Sequence, residues 1–180
     1  MKPGAEILTD LALRTFPASA RIADLGGPLV PPPALAARRV VVAREDEALT
    51  FLQAQAHEPL DGLLAGWPTR FAPLLPFLSA ARGALRDEGR ALLLDLTWGT
   101  APTPDLLRAF APAPGRDKVR PIEGYEMQID HAGFDVEERV DVDRARWAPA
   151  LAAEQKAAVE ADARGAARLV AWVLAPRVDG

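Results

Sequence analysis

Asp24, Gly26 and Gly27 close the run Arg21-Ile22-Ala23-Asp24-Leu25-Gly26-Gly27-Pro28, and Glu45 stands 21 residues past Asp24. Carboxylates and a glycine turn in that pattern suit a nucleotide-like ligand. Glycine tolerates positive φ and lets a ligand come close to the backbone. An acid about 20 residues beyond such a turn is where dinucleotide-binding folds hold a ribose hydroxyl. The fingerprint G-x-G-x-x-G is absent, because Gly26-Gly27-Pro28-Leu29-Val30-Pro31 does not fit it, and a nicotinamide or flavin cofactor is disfavoured. Other reactive groups are sparse. His57 and His131 are the only histidines and have no carboxylate at metal-ligand spacing, so they read as structural or surface residues and no metal is expected. Asp95 lies near a strand end, where an acid can orient a nucleophile or tie down a loop.

The elements that must position these residues follow from periodicity. Ile7, Leu8, Leu11 and Ala12 recur at helical spacing over Ala5 to Thr15, and Phe16-Pro17 closes that helix. Arg21 to Leu25 and Val40 to Ala43 read as buried strands, with a short helix over Ala34 to Arg38 after the triple proline. A helix over Glu47 to Gln55 is followed by a strand over Asp61 to Ala65 that ends in Gly66-Trp67-Pro68-Thr69-Arg70. In open parallel sheets chemistry gathers at such carboxyl ends. Trp67 and Arg70 there suit either a substrate-facing role or, equally, a core lid and a solvated helix start. A helix to about Arg86, a turn at Gly89 and the apolar strand Ala91 to Leu96 come next. Pro, Gly and Thr make Trp98 to Pro121 mostly loop, with a short helix over Asp105 to Phe110. Helices over Ile122 to Ala132 and Trp147 to Ala163 alternate with strands over Phe134 to Val142 and Ala167 to Leu174, and Glu160 with Arg164 forms an i,i+4 pair.

With 180 residues, 49% of them hydrophobic, the chain can bury the core of one domain. A net charge of −4 leaves no basic footprint for nucleic acid. The absence of cysteine excludes disulfides and thiolate metal sites. No apolar run reaches the ~20 residues that span a bilayer, and the N-terminus is unlike a secretory signal. The expectation is a cytoplasmic protein with no membrane or nucleic-acid partner.

Taken in order, these motifs resemble the class I S-adenosylmethionine-dependent methyltransferases. Asp24 and Gly26 match that family's Asp/Glu-x-Gly-x-Gly loop, Glu45 matches the acid ending its second strand, and Pro28 replaces a glycine. Leu60 to Ala65 is similar to the fourth strand, Leu78 to Asp95 to the next helix, turn and fifth strand, and Met127 to Phe134 to the late helix ending in Ala-Gly-Phe. The resemblance implies one domain over residues 1–180, with a covering helix within 1–17 and a Rossmann-like core over 21–176. The expected fold class is α/β, a three-layer α/β/α sandwich whose mostly parallel sheet has an antiparallel C-terminal strand. His57-Glu58-Pro59 leaves no room for the family's third strand and helix, so a shortened, degenerate member lacking that strand is expected. The bare edge this leaves predicts a homodimer or a covering N-terminal segment. The resemblance also implies S-adenosylmethionine as cofactor, with Asp24, Gly26 and Gly27 near its methionine end and Glu45 on its ribose. It identifies no catalytic residue. Two readings stay open: a methyltransferase acting on a small-molecule acceptor, and a non-catalytic relative serving as a binding or assembly module.

Overall fold

Strands that carry apolar side chains on both faces require a cover on each side. The computed structural model, which describes residues 5–25, 39–44, 47–70, 72–112 and 117–178, has that layering. Its elements are α1 (Ala5–Thr15), β1 (Arg21–Leu25), β2 (Arg39–Ala43), α2 (Ala48–Ala54), β3 (Leu60–Gly66), α3 (Leu74–Ala84) and β4 (Leu85–Trp98). After them come α4 (Pro104–Ala109), β5 (Arg120–Pro121), α5 (Ile122–His131), β6 (Phe134–Val142), α6 (Arg144–Trp147), α7 (Ala153–Ala161) and β7 (Ala167–Pro176). Successive strand residues point to opposite faces. Ile22, Leu64, Leu92, Leu94 and Leu96 therefore join the core beneath α1, α4, α6 and α7. Ala23, Leu25, Leu63, Ala65, Ala91 and Leu93 join the core beneath α2, α3 and α5.

The strand order is β2-β1-β3-β4-β7-β6, with β5 beside the end of β4. The first four strands are mutually parallel, and β7 runs antiparallel between β4 and β6. Among the described residues β2 is the last strand on its side, and α2 passes through a 3-10 turn at Gln55–His57 straight into β3. The α/β sandwich with its lost third strand is thus the observed architecture. Among the described residues no helix is long and apolar enough to cross a membrane.

Several elements depart from their expected bounds. The helix expected to reach Arg86 stops at Ala84, where Leu85 turns extended and pairs with Leu60. The next pair is Gly62 with Arg90, so Arg86 to Gly89 bulge out of β4 instead of forming a separate turn. The helix expected over Trp147 to Ala163 is split into α6, a 3-10 turn at Ala148–Ala150 and α7. Pro149 lacks the N–H that an unbroken helix needs there. Arg164 falls beyond α7, and Glu160 pairs with Lys156 at 3.9 Å instead. The short helix expected over Ala34 to Arg38 lies outside the described residues.

α1 reaches the sheet through a close approach at one glycine. A Cβ on Gly62 would sit 2.5 Å from Cε1 and Cζ of Phe16, which closes α1 and is itself buried. Gly62→Ala is expected to lower the unfolding free energy by about 1–3 kcal/mol through overpacking. Adding Phe16→Leu should recover part of that loss. Urea denaturation of both single variants and the double variant should give a coupling of at least ~0.5 kcal/mol, and additive effects would count against this contact.

Candidate functional site at the carboxyl ends of the parallel strands

β1 has β2 on one side and β3 on the other, so the chain's winding reverses between β1 and β3. The crevice outside the carboxyl ends at such a point is the general ligand site of open α/β sheets. Asp24 stands there, paired in register with Val42 of β2 and Leu64 of β3, and is only 2% exposed. Gly26, Gly27 and Glu45 lie outside the described residues. His57 and His131 are exposed, at the end of the 3-10 turn after α2 and at the end of α5. Among the described residues no three of His, Asp and Glu come together as a metal-holding group.

The neighbouring strand end is more elaborate. The last register pair of β3 with β4 is Gly66 with Leu94; past that point β4 stays paired with β7 on its other side but has no strand on the β3 side until β5 joins at Thr97. Trp67 turns the chain away with φ of 60°, a left-handed conformation costly for a bulky residue, while its N–H donates to the Leu94 carbonyl at 2.6 Å. Residues Pro68–Arg70 then form a 3-10 turn beside Asp95, whose side chain is fully buried. Thr69 donates its N–H to Asp95 Oδ2 at 3.1 Å and its hydroxyl to Oδ1 at 2.9 Å. The Leu96 N–H reaches Oδ1 at 2.8 Å, and the Tyr125 hydroxyl donates to Oδ2 at 3.1 Å. Four donors thus converge on one carboxylate. Hydrogen bonds to a charged group are worth about 1.5–3 kcal/mol each, enough together to hold Trp67 in its strained conformation.

A cavity of about 270 Å³ opens on this turn. Trp67, Thr69, Arg70, Asp95, Phe110, Pro112, Asp117 and Val119 are among the residues that line it. Phe110 is steadied edge-on against Trp98, with ring centroids 6.0 Å apart. Trp67 is 4% exposed and belongs to the core beneath α1, so it is both a core lid and a cavity wall. Arg70 is exposed, with its guanidinium carbon 5.7 Å from the Trp67 ring centroid. Asp117 accepts the Leu74 N–H at 2.7 Å, closing the start of α3, and pairs with Arg120 at 3.3 Å.

Burial lifts the Asp95 carboxyl to about 6, against the lowering effect of its bonds from Thr69, Leu96 and Tyr125. Burial and the nearby Asp95 charge push the Tyr125 hydroxyl well above its ordinary value, so it stays protonated as a donor. With both oxygens already accepting two bonds, Asp95 is built as a clamp on the turn. Thr69 and Tyr125 had no distinguishing sequence signal. The one available clue was Asp95 itself, an acid inside the apolar strand Leu92 to Leu96 that must find buried donors.

No protein-family model matches the chain, and no curated protein does. Solved structures do. Geranyl diphosphate C-methyltransferase from Streptomyces coelicolor A3(2), in complex with Mg2+, geranyl diphosphate and S-adenosyl-L-homocysteine, is 16% identical with a TM-score of 0.68, over 97% of this chain and 79% of that one. A methyltransferase from Geobacter sulfurreducens, in complex with S-adenosyl-L-homocysteine, is 16% identical with a TM-score of 0.67, over 96% of this chain and 91% of that one. A cyclopropane synthase from Mycobacterium tuberculosis is 18% identical with a TM-score of 0.61, over 94% and 83% of the two chains. The chain therefore has the fold of the class I S-adenosylmethionine-dependent methyltransferases.

The Asp95 clamp predicts a pH dependence. Its folded value of about 6 lies above the ordinary 3.8, so the folded chain binds this proton more tightly than the unfolded one. That contribution to stability is complete below pH 3.8 and is lost as pH rises through 6. The unfolding free energy of the wild type, taken relative to Asp95→Asn, should fall by about 2 kcal/mol between pH 4 and pH 7 in urea denaturation. A flat difference would show that Asp95 does not titrate in this range.

Proposed function

We propose that this chain is a methyltransferase-like protein that holds S-adenosylmethionine at the carboxyl ends of β1 and β2 and a small-molecule methyl acceptor in the adjoining cavity. The observation that carries this reading is the placement of that cavity on the β3 and β4 ends, directly beside the β1/β3 reversal where Asp24 stands. The donor set fits the cofactor. Asp24 carries a carboxyl group, which suits the ammonium of the methionine arm, and the sequence places Gly26 and Gly27 next to it and Glu45 where the ribose is expected. When bound, the cofactor supplies a methyl group on a sulfonium. The chain's own residues then have to align the acceptor and exclude water, which is the main demand of an in-line transfer. In this reading Trp67 and Arg70 face the acceptor, and Asp95 positions both through Thr69.

One observation favours the second reading, a non-catalytic relative used as a binding or assembly module. β2 has no further strand beside it among the described residues, so none of them supplies the wall that the family's third strand gives near the adenine. Pro28 also removes a backbone donor from the cofactor loop. A charge-assisted hydrogen bond lost there costs about 1.5–3 kcal/mol, or roughly a ten- to hundredfold drop in affinity. The same bare edge supports a homodimer paired along β2, which sedimentation at increasing concentration would reveal.

Calorimetric titration with S-adenosylmethionine and S-adenosylhomocysteine tests the proposal. The expected dissociation constant is roughly 0.1 mM or weaker, and Asp24→Asn should weaken it at least about tenfold further. Absence of binding at millimolar ligand would leave the non-catalytic module. Micromolar binding that Glu45→Ala abolishes would instead establish an intact cofactor site.

A further inference from the structure

The charges around the cavity do not balance pairwise. Of its two acids, Asp95 is satisfied by Thr69, Leu96 and Tyr125, and Asp117 is engaged by Arg120 and the Leu74 N–H. Arg70 is the cation left over. Elsewhere Arg14, Arg86, Arg90, Arg139 and Arg177 each meet a carboxylate within 3.1 Å, whereas Arg70 has no carboxylate partner among the described residues. Its guanidinium lies over the Trp67 indole, which holds the side chain along the cavity wall and leaves its N–H fork open to a ligand. Leu96, Phe110, Pro112 and Val119 make much of the remaining lining apolar. A volume of about 270 Å³ suits a small molecule.

We propose that the cavity takes a small ligand with an apolar, ring-sized body and one anionic group, a carboxylate or phosphate, which Arg70 binds while the body packs between Trp67 and Phe110. This deepens the acceptor reading given above and rests on it for the ligand's role as acceptor. A guanidinium binds a planar carboxylate or a phosphate through paired N–H donors, and stacking on an indole pre-organises it for that contact. A neutral ligand would leave Arg70 without a counter-charge at the mouth.

The test uses the full chain titrated with benzoate, phenyl phosphate, benzyl alcohol and benzylamine, followed by amide shifts in NMR. Benzoate and phenyl phosphate should bind at least about tenfold more tightly than benzyl alcohol, a difference of about 1.4 kcal/mol, with shifts at Trp67 and Leu96. Benzylamine should bind most weakly. Arg70→Gln should erase the preference for the anions over benzyl alcohol, and Arg70→Lys should keep part of it. Because Arg70 is exposed, these variants are expected to fold, and circular dichroism checks that they do. Equal binding of benzoate and benzyl alcohol, no binding of either anion, or anion binding indifferent to Arg70→Gln would each overturn the proposal. S-adenosylhomocysteine titrated into the same samples separates the two readings. Anion binding without it leaves this site standing and removes the methyltransferase reading, whereas its binding without any anion preference does the reverse.

Discussion

A carboxylate buried at the centre of a sheet has to be fully hydrogen-bonded or carry its proton, because an unpaired charge in that environment is prohibitively costly. Asp95 meets the demand by drawing donors from the turn after β3, from its own strand and from α5. Much of the candidate site depends on that convergence. It draws Thr69 against β4 and thereby sets the path of Trp67 and Arg70. It also fixes Tyr125, whose ring stacks on Trp172 of β7 at 4.3 Å and 7°, so the same carboxylate ties α5 to the middle of the sheet. Here the polar network and the apolar packing share their residues.

The cavity arises from strand length. β4 outruns β3 by several residues and β5 is only two residues long, so a gap remains beside Asp95 and Leu96. Phe110, Ala111 and Pro112 after α4, together with Asp117 and Val119, line the same cavity.

The two sheet edges are managed differently. At the β6 edge the acids are neutralised in place: Asp135 by Arg177, Glu137 by Arg90, Glu138 by Arg14 and Asp141 by Arg168. A charged edge strand discourages pairing with another chain. The sequence Val40-Val41-Val42-Ala43 of β2, by contrast, carries no charged side chain.

Much of the fold was legible because it rests on local patterns. The α1 stripe at Ile7, Leu8, Leu11 and Ala12 is buried as its spacing requires, and the short link at His57-Glu58-Pro59 correctly implied a sheet without its third strand. Boundaries decided by pairing were not legible. Arg86 to Gly89 looked like a helix end and a turn, yet they are a bulge whose existence depends on Leu85 finding Leu60 across the sheet. The site was legible in the same uneven way. Trp67, Arg70 and Asp95 stood out by lying at or near strand ends. Thr69 is 26 residues from Asp95 and Tyr125 is 30 away, and no periodicity links positions that far apart. The sequence alone determined which segments are strands and helices and where acids and glycines fall along them, because those follow from side-chain spacing and backbone preference. Only the tertiary structure decided which donors meet the buried carboxylate, that Arg70 has no acid beside it among the described residues, and where the cavity opens, because these depend on contacts between elements remote in the chain.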